Sequence, residues 1–234
     1  MQQKTIGLIG GMSWESSAEY YRIINQETLR RLGGVHSARS LMFSVDFDEI
    51  KKLQHAGEWD HLAELMKDAA RHLERGGASF IVLCTNTMHR LADSIESAVS
   101  IPLLHIADPT AERIKAAGIA RVGLIGTAFT MEQDFYKGRL QSRHGLDVIV
   151  PDADDRQVVH DVIYKELVLG QVNPVSREAY RAIIGRLVDR GAEAVILGCT
   201  EIMLLVSQDD STVPLFDTTT IHAIAAVDHA LRRD

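Results

Sequence analysis

The sequence predicts an α/β protein of two pseudo-symmetric lobes, each a mostly parallel sheet flanked by helices. Apolar runs of strand length alternate with helical patterns along the chain, which is typical of parallel sheets covered by helices. A glycine-rich turn follows the first predicted strand. The only two cysteines end matching segments, Gly77–Cys84 and Gly191–Cys199, in which glycine precedes an apolar strand and threonine follows the thiol.

Further segments recur along the chain in one order. The pairs are Gly7–Gly11 with Gly123–Thr127, Leu73–Ala78 with Leu187–Ala192, and Ile101–Leu104 with Val213–Phe216. One such match could arise because all α/β proteins reuse similar strands and turns. Several matches in the same order are unlikely to arise in this way, so we infer an internal duplication. The predicted lobes are residues 1–107 together with 215–234, and residues 108–214.

The elements of the first lobe follow from apolar periodicity and from capping residues. Short apolar runs predict four strands, namely Thr5–Ile9, Ala38–Val45, Ser79–Leu83 and Ile101–His105. Ser16 or Ser17 is the predicted N-cap of a helix that ends at Gly33. Asp60 is the predicted start of a second helix, which ends at Gly76.

The second lobe repeats this alternation. A helix over about Pro109–Ala117 leads into it. The predicted strands are Arg121–Ile125, Asp147–Val150, Glu193–Leu197 and Val213–Phe216. The predicted helices are Gln157–Leu169, one that begins at Ser176, and Thr219–Arg232, which would pack back on the first lobe.

The composition fits a globular enzyme and excludes other classes. Hydrophobic residues make up 46% of the 234 residues, and the net charge is −7 with scattered Lys and Arg, which argues against nucleic-acid binding. No apolar run approaches the roughly 20 residues that span a membrane, and the N-terminus leads into a strand without a signal-peptide pattern. We therefore expect a cytoplasmic protein, without membrane association, whose cysteines do not form a structural disulfide.

Polar residues cluster directly after the predicted strands. Ligands of parallel α/β sheets bind beyond the carboxyl ends of the strands, where these clusters would line one cleft. The N–H groups of the glycine turn could hold an anion, or the turn could be only a tight connection. The predicted substrate-binding residues at these strand ends are Gly11, Met12, Ser13, Thr85, Asn86, Thr87, Thr127, Thr130, Thr200 and Glu201.

Cys84 and Cys199 are the predicted catalytic residues. A thiol at a strand end near a helix N-terminus is expected to have a lowered pKa, because aligned N–H groups favour the thiolate. Of two opposed thiols, one can remove a proton from a carbon while the other supplies one to the opposite face. A racemase without a cofactor needs this arrangement. Glu201 could accept a substrate ammonium group, raise the pKa of Cys199, or face water.

Other polar residues near these clusters have competing interpretations. Cys84, His89 and His105 offer metal ligands, but without a Cys-x-x-Cys motif or a second close His pair no metal site is predicted. His89 either tunes the Cys84 thiol or only caps and packs. Asp46 and Asp48 either carry solvated loop charges or line the cleft.

The chain resembles the cofactor-independent aspartate/glutamate racemase superfamily over its whole length. The motifs that carry the resemblance are Gly7–Met12, Cys84–His89, Gly198–Glu201 and Val213–Asp217, and Gly10–Ser16 is similar to the bacterial branch of aspartate/glutamate or broad-specificity racemases. The resemblance implies an active site between the lobes, two acid/base thiols, and neither pyridoxal phosphate nor a metal. The expected partners are a small amino-acid substrate and, in a homodimer, a second copy of the chain.

Alternative functions on this scaffold remain open. They are a hydantoin racemase, a maleate-type cis–trans isomerase with a single cysteine nucleophile, an arylmalonate-type decarboxylase that needs only one thiol, and a non-enzymatic carboxylate-binding module.

Two positions depart from what the resemblance implies for aspartate-specific relatives. Those relatives place an arginine after the second strand and a lysine before the turn at Gly170, whereas this chain has Asp46–Ile50 and Val168 there. Either Gln54 or Lys165 binds an acidic side chain, or the pocket accepts neutral side chains.

Overall fold

The computed structural model describes residues 3–232 and divides into two compact units. The first unit contains the residues up to His105 and those from His222 onward, and the second is Ile106–Ile221. The predicted boundaries between the lobes were instead after residue 107 and before residue 215. The difference arises because the strand at residues 215–217 pairs within the second sheet. Residues 1, 2, 233 and 234 of the predicted first lobe lie outside the described residues.

The first unit contains a four-stranded parallel sheet of order β2-β1-β3-β4. Its strands are β1 (Ile6–Gly10), β2 (Ser40–Ser44), β3 (Phe80–Leu83) and β4 (Leu103–Leu104). Its helices are α1 (Trp14–Leu32), α2 (Phe47–Ala56), α3 (Trp59–Arg75) and α4 (Ala92–Glu96), with a 3-10 helix at Thr87–Leu91.

The second unit contains a second four-stranded parallel sheet, of order β6-β5-β7-β8. Its strands are β5 (Arg121–Gly126), β6 (Asp147–Ile149), β7 (Ala194–Gly198) and β8 (Leu215–Asp217). Its helices are α5 (Ala107–Ala116), α6 (Ala128–Glu132), α7 (Asp134–His144), α8 (Ala153–Lys165), α9 (Pro174–Asp189) and α10 (Ile202–Leu205). The last helix, α11 (Thr218–Leu231), begins in this unit and continues into the first.

Both units therefore have the predicted architecture and the same strand order. Strand–helix alternation explains why the paired strands are parallel, because each helical crossover returns the chain to the same end of the sheet. Apolar side chains alternate between the two faces of the first sheet. Ile9, Ile81 and Leu83 pack with α3, whereas Leu8 and Val82 pack with α1 and α11.

A glycine in the first strand of each unit allows a helix to pack closely. A Cβ atom at Gly7 would lie 3.4 Å from Leu73 Cβ, and one at Gly123 would lie 3.4 Å from Leu187 Cβ. Leu73 is on α3 and Leu187 is on α9, so these glycines occupy equivalent positions. The recurrence seen in the sequence thus reflects a packing requirement.

Three predicted helix starts are wrong: in α1 and α9 another residue supplies the capping oxygen, and α3 begins earlier than predicted without a side-chain cap. Ser13, not Ser16 or Ser17, caps α1; α3 begins after Glu58 rather than at Asp60; and Asn173, not Ser176, caps α9. Ser176 is instead bonded to Glu166 at 2.7 Å. Within residues 3–232, no helix combines the length and hydropathy that crossing a membrane would require.

Candidate active site

The turn after β1 is held together by its own hydrogen bonds. Gly11 has φ of +90°, and a Cβ there would lie 2.2 Å from the Val45 carbonyl oxygen, so only glycine fits. Its N–H donates to Ser17 Oγ at 2.7 Å. The predicted anion-binding N–H of Gly11 is therefore engaged within the turn. The Met12 side chain is buried in the core beside α3.

Ser13 connects this turn to α1. Its hydroxyl accepts from the Ser16 N–H at 3.3 Å, and its carbonyl accepts from the Ser17 hydroxyl at 2.9 Å. The Ser16 hydroxyl in turn donates to the Cys84 carbonyl at 3.2 Å. The turn after β1 and the thiol after β3 thus form one hydrogen-bonded cluster.

Cys84 is completely buried at the end of β3. Its N–H donates to the Ile9 carbonyl at 2.9 Å, and its thiol contacts the Val82 carbonyl at 3.9 Å. Burial raises the pKa of the Cys84 thiol, so the predicted lowering of its pKa is wrong. The 3-10 helix that follows has only five residues, and its few N–H groups do not offset the loss of hydration.

The residues after Cys84 line the same edge of the sheet. Thr85, Asn86 and Thr87 are all buried, as the site hypothesis requires of a water-excluded cluster. Gln54 is also buried, and its Nε2 donates to the Met88 sulfur at 3.1 Å. The predicted side-chain donor Gln54 therefore lies next to the Cys84 segment.

His89 belongs to a buried group of histidines. Its Nδ1 donates to the Thr85 carbonyl at 2.7 Å, and its ring lies 4.5 Å from that of His105 and 5.9 Å from that of His222. His222 Nδ1 accepts from the Tyr20 hydroxyl at 2.9 Å. Packing is thus an evident role of His89. No group of three or more His, Cys, Asp or Glu side chains within residues 3–232 is arranged to hold a metal ion.

The acidic residues after β2 belong to the start of α2. The Asp46 carboxylate is the N-cap and accepts from the Asp48 N–H at 3.1 Å. Asp48 forms an exposed ion pair with Lys52. Of the two interpretations, the structure supports solvated charges.

The turn after β5 in the second unit repeats the capping seen after β1. Thr127 Oγ1 caps α6 by accepting from the Thr130 N–H at 3.3 Å, and the two threonine hydroxyls lie 3.2 Å apart. The Ala128 N–H donates to His160 Nδ1 at 3.1 Å. Both predicted threonines are buried, and α8 supports their turn through His160.

Cys199 lies at the end of β7 against a buried carboxylate. The thiol donates to Glu201 Oε2 at 3.1 Å, and the Thr200 hydroxyl donates to the same oxygen at 2.8 Å. The Thr219 hydroxyl donates to the Thr200 carbonyl at 3.3 Å. Burial and the adjacent Glu201 carboxylate raise the pKa of the Cys199 thiol well above its usual value. This agrees with one of the three roles considered for Glu201 and not with the lowered pKa expected from a helix N-terminus.

Helix α8 presents Tyr164, not Lys165, to this cluster. Tyr164 is buried, and the nearby Cys199 and Glu201 add to burial in raising the pKa of its phenol. Lys165 is exposed and pairs with Asp161 at 2.9 Å. Consecutive helical residues lie about 100° apart around the axis, so Lys165 points away when Tyr164 points inward.

Sequence reasoning missed Tyr164, His160 and Glu15. The spacing of four residues between His160 and Tyr164 places both rings on one face of α8, with centroids 4.8 Å apart. Glu15 Oε2, in the first turn of α1, is buried without a hydrogen-bond donor among the described residues. A cationic ligand group would satisfy this oxygen. All three were missed because helical residues were assigned from apolar periodicity, which does not indicate which polar side chains are buried.

Comparison with known proteins connects these features to one family. A family model described as Asp/Glu/Hydantoin racemase matches residues 9–226. The chain is 25% identical over 228 residues to the broad-specificity amino-acid racemase RacX of Bacillus subtilis (strain 168), covering 95% of this chain and 96% of RacX.

Two solved structures are similar over nearly the whole chain. A Yersinia pestis protein described as a candidate Asp/Glu racemase is 55% identical with a TM-score of 0.91, covering 98% of this chain and 100% of its own. An aspartate racemase homologue from Pyrococcus horikoshii OT3 is 33% identical with a TM-score of 0.84, covering 98% and 100%.

Proposed function

Because the chain belongs to the Asp/Glu/hydantoin racemase family and is an amino-acid racemase, we propose that Cys84 and Cys199 are its two acid/base catalysts. The observation that carries the proposal is the equivalent placement of the two thiols. Cys84 directly follows β3 and Cys199 directly follows β7, which occupy equivalent places in the two sheets. Each cysteine is followed by threonine. No other cysteine occurs in the chain.

In this mechanism one cysteine acts as a thiolate base and the other as a thiol acid. The base takes the α-proton of the bound amino acid, and the acid delivers its proton to the opposite face of the carbanion-like centre. The α-proton is far less acidic than a thiol, so a basic thiolate lowers the barrier. Burial favours this, because a desolvated thiolate has a raised pKa.

Neutral polar groups accompany both thiols and fit the binding of a carboxylate. Thr85, Asn86 and Thr87 follow Cys84, and Thr200 follows Cys199. Hydrogen bonds from such groups to the substrate carboxylate would grow stronger as negative charge spreads from the α-carbon in the transition state. We include Thr127 and Thr130 in the proposed binding set because they are buried at the equivalent turn of the second unit.

We further propose that the enzyme accepts a range of side chains. No Lys or Arg among residues 3–232 is fully buried, and Lys165 is engaged with Asp161 at the surface. A buried substrate carboxylate without a cation would cost several kcal/mol, so strict selection of aspartate is not expected.

The test measures racemisation of amino acids by chiral chromatography together with α-hydrogen exchange in D₂O. Cys84→Ser and Cys199→Ser should each lower kcat by about 10²- to 10⁴-fold, the range of acid–base catalysis. The double variant should be no slower than the slower single variant, because the thiols act as a unit. Circular dichroism provides the folding control.

Each alternative gives a different result. Near-normal racemisation by either single variant would eliminate the two-thiol mechanism. A wild-type protein that binds amino acids but exchanges no α-hydrogen would be a binding module. A cis–trans isomerase would depend on one cysteine only, because a single nucleophile is sufficient.

A further inference from the structure

The Cys199 thiol shares a carboxylate oxygen with Thr200. Glu201 Oε2 accepts hydrogen bonds from the thiol at 3.1 Å and from the Thr200 hydroxyl at 2.8 Å. Glu201 is buried, with 3% of its surface exposed, so water does not compete strongly for this oxygen. A thiol donates and a carboxylate oxygen accepts, so this geometry fits a hydrogen bond from a protonated Cys199 to Glu201.

The other ionisable groups that act on Cys199 do not favour its thiolate. Tyr164 from α8 and Tyr180 from α9 lie near it, and proximity to Cys199 contributes, after burial, to the raised pKa of each phenol. Neither phenol is a cation. Within residues 3–232, the negative charge of Glu201 acts on the Cys199 thiol and raises its pKa, whereas hydrogen bonds from the backbone of Glu201 and Thr200 lower it less strongly.

Within residues 3–232, no carboxylate is hydrogen-bonded to the Cys84 thiol in the first unit. Burial raises the pKa of this thiol, and its sulfur lies in an apolar cluster, with a hydrogen bond to the Val82 carbonyl at 3.9 Å. The two thiols thus occupy equivalent positions in the fold but have different polar neighbours.

We propose that Glu201 is a positioning residue that keeps a proton on Cys199 in the resting enzyme. Cys199 then begins the reaction as the acid, and Cys84 acts as the base after its thiol has given its proton to solvent water. The catalytic meaning of this assignment depends on the proposed two-thiol function, although its test does not.

Glu201 also affects the thiolate that Cys199 becomes. When Cys199 acts as the acid, its S–H bond breaks as a C–H bond forms at the α-carbon, and the electron pair remains on sulfur. That thiolate lies beside the Glu201 carboxylate, and the repulsion makes it more basic. In the reverse direction it can therefore take the α-proton and restore the thiol.

The presence of only two cysteines permits a direct test. The Cys84→Ser variant contains a single thiol, and its alkylation by iodoacetamide at different pH values, followed by mass spectrometry, reports the ionisation of Cys199. Adding Glu201→Gln should shift the midpoint of alkylation to lower pH by about one unit or more. Below both midpoints this equals about a tenfold faster reaction.

A matched control uses another carboxylate of the same unit. Glu166 is bonded to Ser176 rather than to Cys199, so Glu166→Gln in the Cys84→Ser background should leave the midpoint unchanged. If Glu201→Gln does not fold, Glu201→Asp keeps the charge but withdraws it from the thiol, and a smaller shift in the same direction is expected.

An unchanged midpoint in a folded Glu201→Gln variant would overturn the proposal. A shift to higher pH would also overturn it, since it would mean that Glu201 carries the proton and Cys199 the charge. Racemisation by the wild-type protein is measured separately. A shift without any racemisation would refute the proposed function and leave the assignment of Glu201 intact.

Discussion

Cys84 in the first unit and Cys199 in the second follow equivalent strands, yet only Cys199 has a carboxylate against its sulfur. The segment after Cys84 continues with Asn86, whereas the segment after Cys199 continues with Glu201. The comparison separates what the fold requires of each unit from what the chemistry requires.

The features that the units share are mainly those of the backbone. Both have the same strand order, a close-packing glycine in the first strand, and a hydroxyl that caps the helix after it. These features are needed for any such unit to fold. The residues that differ surround the thiols, and the proposed mechanism would give these two thiols different roles.

The largest effect on stability is expected at the shared glycines, Gly7 and Gly123. Substituting each one tests whether the two positions are equivalent. An alanine Cβ at Gly7 would lie 2.8 Å from Ala78 Cβ and 3.1 Å from the Phe80 carbonyl oxygen. One at Gly123 would lie 2.9 Å from the movable end of Leu187. We expect Gly7→Ala to lower the free energy of unfolding by about 2–3 kcal/mol and Gly123→Ala by about 1 kcal/mol.

Chemical denaturation followed by circular dichroism measures both losses. Gly185→Ala is the matched control, because nothing lies within 4 Å of a Cβ at this position on α9. This substitution should stabilise the protein by up to about 1 kcal/mol, as alanine favours helix more than glycine does. A greater loss at Gly123 than at Gly7 would contradict the assumed rigidity of the first site.

The sequence was sufficient to predict the architecture because alternation of strand and helix is a long-range pattern. It failed to predict features that depend on a single side chain, such as the residue that caps a helix. Apolar periodicity did not distinguish Ser13 from Ser16 as a cap, and α2, α6 and α7 were not predicted at all. Helices α2 and α7 are rich in charged residues, and α6 has only five residues.

The sequence predicted the grouping of the candidate residues better than the electrostatics of the thiols. Cys84, Thr85 and Asn86 lie together, as expected from their adjacency. The direction of the thiol pKa was wrong, because burial depends on packing from remote segments such as α1 and α11. Tyr164 was missed because its neighbour Lys165 has the more conspicuous charge.

A second prediction compares the side-chain donors that each unit offers. Gln54 is buried beside Met88, whereas Lys165 is 71% exposed and bound to Asp161. We expect Gln54→Leu to lower kcat/KM for polar amino acids by about tenfold, which is the loss of one hydrogen bond of about 1.4 kcal/mol. Lys165→Ala should change kcat/KM by less than about twofold, because exposed ion pairs contribute little.

The assay compares aspartate, glutamate and neutral amino acids for both variants. An apolar substrate is the control for Gln54→Leu, because it makes no hydrogen bond that the substitution could remove. A larger loss for Lys165→Ala than for Gln54→Leu, confined to aspartate and glutamate, would show that Lys165 binds the substrate carboxylate and would reverse the comparison.

The smallest expected effect concerns the caps after the first strand of each unit. Ser13 and Thr127 each accept a backbone N–H three residues on at 3.3 Å, although α1 has 19 residues and α6 only five. Ser13→Ala and Thr127→Ala should each lower the free energy of unfolding by about 1 kcal/mol, since a cap satisfies one orphan N–H whatever the helix length. Ser13→Thr and Thr127→Ser keep the oxygen and should recover most of that loss in the same denaturation assay. A loss at Ser13 alone would mean that Thr127 is retained for binding rather than for capping, and the equivalence of the two turns would then be limited to their backbone.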